Sequence, residues 1–490
     1  MTTTFTRRLP GSRGREVATV IAPFLGAILG DDLPFAIRFW DGSAIAPSGG
    51  GARATVVVRS PLALRRILYG PDELGFGRAY VAGELDFEGD LLWLLGTAEL
   101  PALAESWGRP ATWIAGARMA TQLGILGKPL PPPPEEFAIP GPLETRLRQA
   151  QAILTRLSDT RAGGTRAGGT RASGTRASGG AARTGDPQVR DKASIEHHYD
   201  VGNDFYALVL GPTMAYSCAR FVSPADSLEQ AQEAKHDLIC AKLGLQPGMR
   251  LLDVGCGWGG MVRHAAAHYG VHAVGITLSP AQQAWGAAAT AEAGLADRVE
   301  IRLQDFRELA GDGGPGDGGT DPRDAGESFD AVCSIGMFEH VSSEAVQEYF
   351  RVLHTLLRPG GRLLNHAISQ PQGTSYGHRS FLLRYVFPNG ELRDVGATVQ
   401  AMQLAGFEAR DVESLREHYA LTLRRWLENL ERHWEAAQAM VGPARARIWR
   451  LYMTASVNSF ERGDVGVHQV LGVKPVGGRS LMPLTRAAWA

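Results

Sequence analysis

Residues 251–260 read LLDVGCGWGG: a short apolar run ending on the acid Asp253, then four glycines within six positions. Such a turn lets a ligand approach the backbone closely. Gly255, Gly257 and Gly260 satisfy G-x-G-x-x-G, which alone is a weak sign of a dinucleotide. A dinucleotide domain also wants an acid near the end of the next strand, to hold the ribose hydroxyls. Here that strand ends GITLSPAQQ (275–283) with no acid, and offers Thr277, Ser279 and Gln282 instead. The third strand ends at Gln304 and Asp305, a pair suited to an adenine edge. The pattern argues against a dinucleotide. Either way the ligand is expected at the carboxyl ends of the strands.

Around this turn, apolar runs alternate with helical patterns. MRLLDVG, VHAVGITL, RVEIRLQDF, FDAVCSIGMF and GRLLNHAIS read as strands. EQAQEAKHDLICAKLG, GMVRHAAAHYG, AQQAWGAAATAEAG and EAVQEYFRVLHTLLRPG read as helices between them. The alternation predicts an α/β domain over 191–477 with a parallel sheet covered on both faces. Residues 310–328 (AGDGGPGDGGTDPRDAGES) interrupt it as a disordered, acidic insertion. Residues 1–145 read as a smaller α/β domain. FAIRFWDGSAI and ATVVVRSP are strand-like with a turn between, and LALRRILY is helical. GFGRAYVAGELDFEGDLLWLL reads as a glycine-punctuated turn and a helix. KPLPPPPEEF (128–137) signals a stiff, extended link. Residues 146–190 are a linker whose repeat of period five, TRAGG and TRASG over Thr160–Gly179, reads as a flexible tether. Residues 478–490 are a tail.

Composition narrows the function. The 490 residues carry a net charge of −1, so no global field would gather a polyanion. The cysteines Cys218, Cys240, Cys256 and Cys333 form no C-x-x-C pair and suggest neither a disulfide framework nor zinc. No apolar run is long enough to cross a bilayer. Arg7 and Arg8 before Val17–Leu29 mimic an export signal, but Glu16, Asp31 and Asp32 flank the run and no small-residue cleavage site follows. An N-terminal helix of a cytosolic domain is expected.

With Asp253 included the turn reads D-x-G-x-G-x-G, which resembles motif I of the class I S-adenosylmethionine-dependent methyltransferases. HHYDVGNDFYALVLGPTMAYSCARF (197–221), LLDVGCGWGG, GITLSPAQQ, SIGMFEHV (334–341) and LREHYALTLRRW (415–426) together resemble the cyclopropane-fatty-acyl-phospholipid synthase and mycolic acid cyclopropane synthase family. LGFGRAYVAGELDFEGDL (74–91) is similar to the N-terminal lipid-binding domain of the bacterial phospholipid enzymes. The resemblance implies a Rossmann-like methyltransferase fold. It implies methyl transfer from S-adenosylmethionine to the cis double bond of an acyl chain, in phospholipid. A bound bicarbonate ion then removes a proton so that a cyclopropane closes.

The resemblance places bicarbonate among Cys218, Glu339, His366, Ile368 and Tyr419. His366 and Tyr419 would donate hydrogen bonds, and Cys218 and Ile368 would act through backbone. Glu339 would orient His366 and place negative charge near the cation. It places S-adenosylmethionine against Tyr216, Ser217, Asp253, Gly255, Gly257, Gly259, Thr277, Gln282, Gln304 and Asp305, with Asp253 anchoring the turn and the amino-acid end. It calls for no metal. The implied partners are an unsaturated phospholipid or acyl chain and a membrane surface, with no nucleic acid; a homodimer stays open. The implied location is cytoplasmic and peripheral to the membrane.

Taken singly, each residue has a plainer reading: Cys218 as a small buried side chain, His366 as a structural histidine, Tyr216 and Tyr419 as packing. Leu423, Trp426, Leu427, Leu430 and Trp434 share a helical face that is core, or in part lines an acyl tunnel or rests on a membrane. Three other functions compete. Methyl or methylene branching shares the first step but ends differently. A methyltransferase for a hydrophilic metabolite would want a polar acceptor side, whereas YALVLG (206–211) and FLLRYVF (381–387) are greasy. A non-catalytic lipid-binding protein would have lost part of the constellation. Nucleic-acid methylation is disfavoured by the charge and by the lack of an NPPY-like motif.

Overall fold

The computed structural model describes residues 16–30, 32–97, 110–137, 201–310, 328–374, 380–388 and 390–486. The TRAGG/TRASG repeat, the 146–190 linker, His197 and His198, and nearly all of the 310–328 insertion lie outside the described residues.

The first body comprises α1 (Val17–Leu29), β1 (Ala36–Phe39), β2 (Ala44–Ile45), β3 (Ala54–Val58), α2 (Pro61–Tyr69), α3 (Glu73–Val81), β4 (Leu85–Gly89), α4 (Leu91–Thr97) and α5 (Pro110–Gln122). Its four strands run in the order β2-β1-β3-β4. Ser60 caps α2 through Leu62 N, with Pro61 in the first turn. Asp72 caps α3 through Gly75 N. The expected turn at GFGRAY is therefore helix: the Asp72 cap starts it, and Gly75 and Gly77 buy close packing. A Cβ on Gly75 would sit 1.7 Å from Gly70 O, and one on Gly77 2.4 Å from the Phe381 ring. LDFEG, read with the following helix, is strand β4.

The second body comprises α6 (Asn203–Leu210), α7 (Leu228–Leu243), β5 (Arg250–Val254), α8 (Gly260–Tyr269), β6 (His272–Thr277), α9 (Pro280–Glu292), β7 (Val299–Leu303), β8 (Phe329–Ile335), α10 (Val346–Leu356) and β9 (Leu357–Ser369). It continues with α11 (Phe381–Tyr385), α12 (Val395–Leu404), β10 (Glu408–Ser414), α13 (Arg416–Arg432), α14 (Trp434–Val441), α15 (Pro443–Arg462) and β11 (Gly466–Val473). The seven strands run β10-β11-β9-β8-β5-β6-β7. β5 to β9 are parallel, and β11 enters antiparallel between β9 and β10. This is the doubly wound sheet expected. All five expected strands and four expected helices are present. The order reverses between β5 and β8, so the cleft for a ligand opens there, beyond Val254 and Ile335.

Tyr419 lies in the first turn of α13. Trp434 begins a separate helix, because the chain leaves helical geometry at His433 (φ −113°, ψ 29°). Leu423, Trp426 and Leu430 are core, while Leu427 and Trp434 pack partly exposed at its margin.

The bodies share walls. Arg450 Nη1 donates to Tyr80 Oη (3.2 Å) and Asn458 Nδ2 to Leu92 O (3.2 Å). The proline-rich link is pinned. Arg78 makes a two-pronged bond to Glu136 (2.6 Å each), Tyr385 Oη donates to the same carboxylate at 3.0 Å, and Phe137 N donates to Arg384 O at 2.8 Å.

Candidate active site

Gly255, Gly257 and Gly259 have φ of +79°, +54° and +76°, where a side chain is strained. A Cβ on Gly257 would enter open space, so its absence leaves a cradle. One on Gly255 would strike Met337 at 2.6 Å, and one on Gly259 would strike Ile301 at 2.5 Å. Gly259 thus serves the packing of α8 against β7.

Gly255, Gly257, Thr277, Gln282, Gln304 and Asp305 line the cleft above the turn. Thr277 Oγ1 donates to Gln282 Oε1 at 2.8 Å, and Asp305 Oδ1 accepts from Arg307 N at 2.9 Å, so both pairs are set in advance. Phe306, Arg307, Gly336, Met337 and His340 complete the walls. They follow directly on β7 and β8; assigning each strand end to the ligand would have found them.

Asp253 lies sealed beneath the turn. Burial pushes its carboxyl up to about 7, and Oδ1 has no hydrogen-bond partner among the described residues. Ser217 stands beside the cleft at Gly336, whose Cβ would come within 3.7 Å of its own. Tyr216 joins an aromatic cluster, its ring 5.6 Å from Tyr206, 5.3 Å from Trp426 and 5.8 Å from Trp449. Its hydroxyl is 3.1 Å from that of Tyr452. An open cradle, an unpaired buried carboxylate oxygen and an adenine-sized polar pair together fit a nucleoside with a charged amino-acid tail.

On the acceptor side, Cys218 and Tyr419 meet at Leu415, whose carbonyl accepts from the Cys218 thiol (3.6 Å) and from Tyr419 N (3.1 Å). Burial pushes the Cys218 thiol up, so it is no nucleophile. The Tyr419 ring packs 4.6 Å from Phe460. Glu339 sits in a short 3-10 turn after β8, and its Oε1 accepts from Ile368 N at 2.7 Å. That corrects the expected partner. Glu339 is bonded to the Ile368 backbone, while His366 Nδ1 lies 3.3 Å from Gln469 Nε2, its neighbour across β9 and β11. With that amide donating, the neutral imidazole carries its proton on Nε2. Burial, then Lys235 and Lys242, hold His366 down at about 3, so neutral is its form at pH 7. Burial pushes Glu339 up to about 7. Glu339 Oε2, His366 Nε2 and Trp426 Nε1 are buried without partners among the described residues. In the sequence Trp426 stands out only as part of an apolar stripe, core or tunnel-lining; no sequence signal singles out its indole N–H.

A second space lies in the first body. A cavity of about 530 Å³ is walled mainly by apolar side chains of α1, β1, β3, α2 and α3, including Phe24, Ile28, Ile37, Val56 and Leu64. Phe381, Leu382 and Leu451 of the second body close it. Glu73 also lines it; its carboxylate accepts from Phe381 N at 2.9 Å, and burial pushes it up.

Comparison with known proteins agrees with this architecture. Residues 187–470 match the family described as mycolic acid cyclopropane synthetase. The chain is 38% identical over 458 residues to a Mycobacterium tuberculosis protein named "Probable fatty acid methyltransferase", covering 91% of this chain and 93% of that one. It is 36% identical over 276 residues to the cyclopropane-fatty-acyl-phospholipid synthase of Escherichia coli K12, covering 56% of this chain and 66% of that one. The cyclopropane synthase MmaA2 of M. tuberculosis superposes with a TM-score of 0.53 at 32% identity, over 58% of this chain and 98% of its own. Mycolic acid cyclopropane synthase CmaA1, solved with SAH and CTAB, superposes with a TM-score of 0.52 at 32% identity, over the same two shares. Glycine turn, sheet order and relatives converge: the chain belongs to the mycolic acid cyclopropane synthetase family of S-adenosylmethionine-dependent methyltransferases.

Proposed function

We propose that this protein methylates the cis double bond of an unsaturated acyl chain, in phospholipid, and closes a cyclopropane ring. When bound, S-adenosylmethionine supplies an electrophilic methyl group. Bicarbonate, when bound, supplies a weak base that resists alkylation. The Glu339 carboxylate offers negative charge where a cationic carbon develops. Neutral His366 presents an N–H that can hold an anion while Gln469 fixes its tautomer. Tyr216, Trp426 and Tyr419 exclude water around the reacting carbons.

The observation that carries the reading is that two buried polar atoms, Glu339 Oε2 and His366 Nε2, are unsatisfied among the described residues, on either side of a strand end at Ile368 that packs against an aromatic cluster. Glu339 reaches that cluster through its bond to Ile368 N. Buried polar atoms without partners are costly and mark a place kept for a ligand. We further assign the 530 Å³ cavity to an acyl tail; it lies in the volume range of small-molecule sites and its lining is mainly apolar, with Asp32, Glu73, Asn458 and Arg462 also reaching it. Exposed Trp113 and Ile114 on α5 give the first body an apolar contact for a peripheral membrane surface. Among the described residues no helix is long and apolar enough to cross a membrane.

The test is mass spectrometry of lipids from a bacterium lacking cyclopropane synthesis, with and without this gene. Gain of one methylene with loss of the double bond supports ring closure; unchanged acyl chains sink it. A relative matched over 93% of its length is named a fatty acid methyltransferase, a name that specifies no ring, and the second reading is a methylene branch. That product has the same mass but keeps a double bond that ozonolysis would cleave.

A further inference from the structure

Helix α7 carries Lys235 into the interior, where its side chain is 1% exposed. An ammonium is rarely buried without a carboxylate. Yet the bond recorded for this one is to a neutral group, Ser217 Oγ, at 3.0 Å. One turn earlier on the same helix Gln232 Nε2 donates to Ser217 O at 3.0 Å and to Ala215 O at 3.3 Å. Two buried side chains of α7 therefore hold the Ala215–Ser217 loop against the donor cleft. Lys235 also lies close enough to Asp253, Cys218 and His366 to perturb all three. It is the hub between the donor cleft and the acceptor site.

We propose that Lys235 is a positioning residue for the donor's α-carboxylate, acting through Ser217. A hydroxyl that accepts from an ammonium still has its own proton to give. Among the described residues Ser217 Oγ accepts from Lys235 and makes no hydrogen bond as a donor. Its side chain adjoins Gly336, in the cleft wall. In that role the O–H is given to a carboxylate at the cleft wall, polarised by the ammonium behind it. Asp253 lies beneath the glycine turn with a free oxygen, the complementary charge for an α-ammonium. Arg307 stands beside Asp305, beyond β7 and three strands from β8, and so serves the adenine end. Lys235 and Asp253 thus make a buried pair of opposite charges matched to an amino-acid zwitterion. The inference rests on S-adenosylmethionine occupying this cleft.

Calorimetry on the full-length protein separates the possibilities, with S-adenosylhomocysteine and with 5′-methylthioadenosine, which lacks the amino-acid end. In Lys235→Met and in Ser217→Ala, affinity for S-adenosylhomocysteine should fall at least about tenfold, the worth of one hydrogen bond to a charged group. Affinity for methylthioadenosine should stay at the wild-type value. An equal loss for both ligands, or no loss for either, overturns the proposal. Should Lys235→Met not fold, Ser217→Ala decides alone, and undiminished S-adenosylhomocysteine binding refutes the role. Wild-type protein that binds neither nucleoside overturns the cofactor assignment itself.

Discussion

The donor cleft and the cavity of the first body are built on opposite principles. The cleft uses residues whose type is dictated by a charged, hydrogen-bonding ligand: glycines at positive φ, a threonine–glutamine pair, a buried aspartate. The cavity is walled mostly by phenylalanine, isoleucine, leucine and valine, each exchangeable for another of similar volume. A site that reads charge leaves a pattern in the chain. A site that only shelters hydrocarbon leaves a shape.

Four variants would break or sharpen that contrast. The largest effect is expected at the polar site. Glu339→Gln should lower turnover by about 10²–10⁴-fold, the usual range for a positioned acid–base group, while S-adenosylhomocysteine binding survives. If the ionised carboxylate is the active form, wild-type activity rises with pH through about 7, and the variant lacks that limb. The same raised carboxyl works against folding: it favours the folded state while protonated, and that contribution fades as pH climbs from the ordinary glutamate range to about 7. Glu339→Gln should therefore flatten this part of a stability-versus-pH curve.

Next comes the clamp between the bodies. Arg78→Met takes the cation away from the buried Glu136, leaving it the Tyr385 hydroxyl, and should cost about 3 kcal/mol in denaturant unfolding, much of it recovered by adding Glu136→Gln. Filling the apolar space is a milder insult. Val56→Trp should cut turnover on phospholipid vesicles about tenfold, or 1.4 kcal/mol, and leave S-adenosylhomocysteine affinity unchanged. Full turnover in that variant would separate the cavity from the acyl chain. Of about the same size is Gly257→Ala: left-handed backbone should cost about 1–2 kcal/mol of stability, and the new methyl intrudes on the cradle, so donor affinity should fall as well.

The sequence exposed the fold where period and punctuation agree. β5, β6 and β7 end at or next to residues that line the cleft, so their boundaries and the polar residues beyond them are legible together. β10 and β11 went unnamed because EARDVES has no clean alternation, and GVHQVLGV is buried too continuously to declare its partner. GFGRAY was read as a turn because its glycines announce flexibility; here they are contact points inside a helix, a role set by Gly70 and Phe381. The Glu339 bond to Ile368 joins residues 29 positions apart, and Lys235 reaches Ser217 across a loop; neither leaves a local signal. The apolar cavity was invisible because volume belongs to packing, not to any residue.

Helix α15 has one more implication. Leu451 and Ala455 on it face the cavity of the first body, while Trp449, Tyr452 and Met453 belong to the core around Cys218 and Tyr419. A shortened version starting near residue 200 would strip that helix of its outer cover and bare a greasy stripe. Such a half-protein should clump or need detergent, even with every chemistry-bearing side chain in place.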